Sequence, residues 1–173
     1  FLNTKGIDSH QMDLGIEVIL KLFSKNSLIG LFDQASESKK HFSENTQRIL
    51  ALRLQYEATI DEVIRFLQGK NQTFARQLCS ENFLPRASRF NLLDDMDWAF
   101  GNMGMQDKAK HLATLFLEDL SDFIVECIDD NFGFSRYAER LGRSANSFDE
   151  LQDALNTQLY YIDQLTIDLL NDK

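Results

Sequence analysis

Proline is almost absent from this chain: Pro85 is the only one in 173 residues. Glycine is scarce as well, with eight scattered copies. So few breakers favour long helices over tight turns. Only two cysteines occur, Cys79 and Cys127, and each lies among residues of helical spacing. Both read as small buried hydrophobes. Fully apolar runs stop after a few residues, so no segment reads as a membrane span. Phe1-Leu2 is followed at once by Asn3, Thr4 and Lys5, which is not a secretory apolar core. Together these features predict a reduced, cytoplasmic protein.

Several chemical signatures are missing too. There is no Gly-x-Ser-x-Gly and no phosphate-binding glycine loop. Neither cysteine has a histidine close by in sequence, so nothing local marks a nucleophile and base.

What is present is a globular composition. Apolar residues make up 43% of the chain, and Phe alone occurs fourteen times. A chain of this length buries roughly 70% of its unfolded surface as one domain. Apolar residues recur at three and four, as in Ile16, Ile19, Leu20, Phe23 and in Ala109, Leu112, Ala113, Phe116, Leu120, Phe123, Ile124, Cys127. Helices are expected from Asp8, over 43–67 with a stop at Gly69, over 73–81, from Asn91, over 107–130 and over 148–170. Residues 82–89 read as a connector, because Pro85 disfavours helical geometry at Leu84. No strand and no fixed repeat is evident. The expectation is an all-α, single-domain helical bundle over 1–173. It has three to four long antiparallel helices plus several short ones, with a possible sub-division near 82–90.

Charge is unevenly distributed. Residues 1–90 carry ten acids and twelve bases, a net of +2; residues 91–173 carry seventeen acids and six bases, a net of −11. Such asymmetry marks an interaction surface without naming the partner. On the helix expected over 107–130, Glu118, Asp122 and Glu126 recur at every fourth residue with Asp119 beside them. They are predicted to form a wet face opposite the apolar stripe. A metal site would need Glu-x-x-His pairs, and His10, His41 and His111 make none. Asp94-Asp95-x-Asp97 reads as helix-start acids favoured by the macrodipole. No metal and no cofactor is expected.

The arginines form two small clusters. Arg86 and Arg89 flank the connector; Arg136 and Arg140 stand four apart beside Tyr137. Paired guanidinium groups suit a phosphate or carboxylate, or they neutralise neighbouring acids internally. Residues 137–147 resemble the first helix and turn of a helix-turn-helix. The recognition helix would then be Phe148–Asp153, which holds three acids and no cation. A phosphate backbone repels it, so no direct nucleic-acid contact is expected.

Two functional readings follow. The first is a non-enzymatic helical interaction or regulatory module. It presents an acidic C-terminal half, with Glu118, Asp119, Asp122 and Glu126, to a protein with a basic surface or to a second copy. A nucleic-acid mimic is a subclass of it. The second is a small helical enzyme or ligand-binding domain with an anion pocket around Arg136 and Arg140. Trp98, His111, Tyr137 and Asp95 are its further candidates.

Overall fold

The computed structural model describes residues 3–8, 13–92, 104–129, 132–133, 147–149, 152, 156 and 160–171. The chain is all-α, and no strand occurs among the described residues. Helix α1 spans Leu14–Leu22. Its cap is Asp13, whose carboxylate accepts the Ile16 amide at 3.1 Å, rather than the expected Asp8, which lies in coil ahead of it. Ser24 then caps a second helix, α2, Lys25–Glu37. Asn26 and Ser27 lie in its first turn. Leu28, Leu31, Phe32 and Ala35 follow at helical spacing and are buried.

The helix expected over 43–67 is two helices. α3 runs Glu44–Ala51 and α4 runs Arg53–Leu67, with the joint at Leu52 (φ −93°, ψ 8°). The two pack on different partners: α3 meets the long helix α6 (Met105–Cys127), while α4 also lies along α2. α4 ends as its glycine predicts. Gly69 sits at φ +77°, its amide donates to Phe66 O and the Lys70 amide to Arg65 O, both at 2.9 Å. This closes the last turn through the left-handed conformation that glycine adopts freely.

A 3-10 turn, Gln72–Phe74, leads into the one-turn helix α5, Ala75–Leu78, where a longer helix was expected. Residues 82–92 then cross the molecule as a strap. It is no solvated connector: Leu84, Pro85, Ala87 and Phe90 are buried, and it ends in a second 3-10 turn, Ser88–Leu92. The last described helix, α7, spans Tyr160–Asn171 and packs on α1.

α6 is the centre. α3, α4, α5 and the strap's 3-10 turn all contact it. The core between α2, α4 and α6 is aromatic: Phe32 lies 4.8 Å from Phe123, and Tyr56 stacks on Phe116 at 5.1 Å between centroids. Full burial of each such ring stabilises by about 1.5–3 kcal/mol, before the gain from ring geometry. Among the described residues no helix is long and apolar enough to cross a membrane.

Candidate functional site

The second half of α6 carries three carboxylates, Asp119, Asp122 and Glu126, that are hydrogen-bonded across to other elements. From Leu115 to Cys127 every residue is buried or half-buried. Of the expected solvated stripe, Asp119 is corrected to a buried position, while Glu118, Asp122 and Glu126 are half-buried and keep part of their surface in water. The strap lies against one flank of α6 and α3 against another. The carboxylates stand at those seams.

Asp119 is 0% exposed. It follows Leu112 and Phe116 and precedes Phe123 on the inner face of the helix. One of its oxygens accepts the Ala87 amide at 3.0 Å and the Tyr56 hydroxyl at 3.4 Å; the other accepts the Arg89 amide at 3.0 Å. The strap turns over this carboxylate, which receives the N–H groups that a 3-10 start leaves without internal acceptors. Burial raises the acid's pKa above the usual carboxylate range, and the Arg89 and Ala87 amides oppose that. Burial likewise pushes the Tyr56 phenol up, with the Asp119 charge adding to it.

Asp122 holds the Arg89 side chain. Nε and Nη2 each donate to one carboxylate oxygen at 2.7 Å, a two-pronged pair in which both groups stay partly exposed. That hydrogen-bonded pairing raises the Arg89 pKa further. Glu118 stands close enough to add to the same field.

Glu126 reaches across to the start of α3. It accepts the Ser43 amide and the Ser43 hydroxyl, both at 2.6 Å, and the Thr46 hydroxyl. Ser43 in turn caps α3 through the Thr46 amide at 3.3 Å. Burial alone would raise the acid's pKa. The two hydroxyls and the amide outweigh it and hold Glu126 below the usual carboxylate range.

Three of the four acidic candidates are thus engaged by α3, α4 and the strap. Arg89, named for an anion site, is held by Asp122. Arg86 lies with its guanidinium 5.8 Å from the Phe90 ring centroid, its Nε buried without a hydrogen-bond partner. Its carbonyl accepts Arg48 Nε at 2.8 Å. Arg136, Tyr137 and Arg140 lie outside the described residues, as do Trp98 and the Asp94-Asp95-x-Asp97 cluster. His111 is half-buried on α6. No group of three or more His, Cys, Asp or Glu with a metal-holding arrangement occurs among the described residues.

Sequence reasoning missed the partners Tyr56, Ser43, Thr46 and the two strap amides. One signal was available for Asp119: its spacing to Phe116 and Phe123 is that of the apolar stripe. No signal marked the others, since they come from 30 to 83 residues away.

A cleft of about 470 Å³ opens elsewhere, between α1, the start of α2 and α4. Leu20, Phe23 and Ile64 line it together with Asp61, Glu62 and Arg65. Asp61 is already bonded to the Lys25 amide at 2.9 Å, and Glu62 to Arg65 at 3.0 Å. Comparison of the chain with protein-family models, with curated proteins and with solved structures returns no match.

Proposed function

We propose that the chain is a non-enzymatic helical interaction module whose acidic C-terminal half meets a basic protein surface. The observation that carries this reading is how the carboxylates divide. Asp119, Asp122 and Glu126 serve internal seams, whereas α7 carries Asp163 exposed and Asp168 half-exposed, with no Lys or Arg between Tyr160 and Asn171. Seventeen acids against six bases in residues 91–173 leave that half strongly negative after the three internal ones are set aside. The carboxylates of α6 that looked available for chemistry are bound to amides, hydroxyls and Arg89, which supports an architectural role for them. This division supports reading the C-terminal helix, rather than α6, as the acidic face presented to a partner.

A field of one sign accelerates encounter with the opposite sign and is screened over roughly 10 Å at 0.1 M salt. An oligolysine peptide is the simplest probe. Its association rate, followed by stopped-flow fluorescence, is expected to fall about tenfold or more between low and physiological salt. Replacing Asp163 and Asp168 by Asn is expected to slow it at low salt. A rate indifferent to both changes overturns the reading.

A further inference from the structure

The outer face of α7 combines charge with exposed apolar surface. Asp163, Ile167 and Leu170 stand at i, i+4 and i+7, so they share one stripe. Ile167 is 49% exposed and Leu170 is 53% exposed. The opposite face, with Ile162 and Leu165, points into the core. The helix therefore leaves a second apolar stripe uncovered after its first has been buried. Helix α1, packed alongside, repeats the arrangement: Ile16 is 58% exposed, and Asp13 precedes it by one turn. Two adjacent helices thus each present an isoleucine one turn beyond an acid.

A single exposed apolar residue on a surface calls for no explanation. Here the pattern has chemistry in it. α7 carries no Lys or Arg between Tyr160 and Asn171, so the charge on its face favours a basic partner. The apolar side chains recur at helical spacing along a helix about 18 Å long. We propose that this α7 face docks a basic amphipathic helix of a protein partner. Its Leu or Ile residues meet Ile167 and Leu170, and a Lys or Arg residue meets Asp163; Asp168 lies round the helix from this stripe and accepts from Gln164 Nε2 at 2.8 Å. A second copy of this chain fits less well, because each copy carries a net charge of −9. The proposal rests on the acidic-module reading and adds an apolar requirement to it.

Two peptides test it on the full chain. One is a Leu/Lys helix with Leu at i, i+3, i+4 and i+7; the other has the same composition in shuffled order. Fluorescence anisotropy is expected to show the amphipathic peptide binding about tenfold tighter, a factor set by the apolar contact. The double variant Ile167→Ser/Leu170→Ser is expected to remove that preference while leaving helical circular dichroism unchanged. If both peptides bind alike and the variant changes nothing, the docking face is wrong and the acidic module stands. If neither peptide binds, both readings fall. If sedimentation shows a dimer that the variant dissociates, the occupant is a second copy and the basic-helix proposal is overturned.

Discussion

Asp119 occupies a core position because helical spacing puts it there, between Phe116 and Phe123. A carboxylate in that place is tolerable only with acceptor sites filled, and the strap amides and Tyr56 fill them. Asp119→Ala leaves three donors without a partner and is expected to cost about 3–5 kcal/mol, measured as a lowered urea midpoint. Asp119→Asn keeps one acceptor oxygen and is expected to cost less, about 1–3 kcal/mol. Equal effects of the two would mean that the amides do not depend on the carboxylate. Glu126 behaves oppositely with pH. Its pKa is lowered in the folded state, so its contribution is present above the ordinary glutamate value of 4.5 and is lost as pH falls through the folded value. Glu126→Gln is therefore expected to be less stable than the parent at neutral pH, by about 1–2 kcal/mol, and to converge with it in acid. The Asp119 shift is upward, so its ionised form opposes folding at neutral pH and that cost fades as pH drops. The two acids partly compensate in the acid range, and the variants separate them.

Caps and stops explain where the elements begin and end. Asp13, Ser24 and Ser43 are each accepted-donor caps of the kind that small polar residues make. Among the described α-helices, Gly69 is the stop where backbone geometry requires glycine. Gly69→Ala is expected to destabilise by about 1 kcal/mol, because an L side chain at φ +77° is strained although space is available. A thermal midpoint unchanged by this substitution would contradict the cap. The apolar periodicity foretold α6 within a few residues, and Gly69 foretold the end of α4. The periodicity did not foretell the joint at Leu52, since no Pro or Gly marks it. Nor did it foretell the buried strap: Pro85 signals only that the helix stops, and Leu84, Ala87 and Phe90 give no hint of which surface they will cover.

At the scale of the molecule, charge and core are arranged around α6. Its second half is buried or half-buried along its length, and Asp119, Asp122 and Glu126 hold the strap and the start of α3 in place. The negative field that remains is carried elsewhere, on α7 among others, and the salt dependence of association is the property of that whole field rather than of any pair. Tertiary ties such as Arg53 to Asp33 at 2.7 Å join α4 to α2 near the surface and add little by comparison with the aromatic core.

The amino-acid order alone determined the fold class, the position of the long helix α6 and the acidic bias of the second half. These depend on neighbours within a turn or on a sum over the chain. Only the folded arrangement decided which carboxylates meet water. A hydrogen bond from Ser43 to Glu126 or from Ala87 to Asp119 exists because packing brings remote segments together, and spacing along the chain holds no record of that approach.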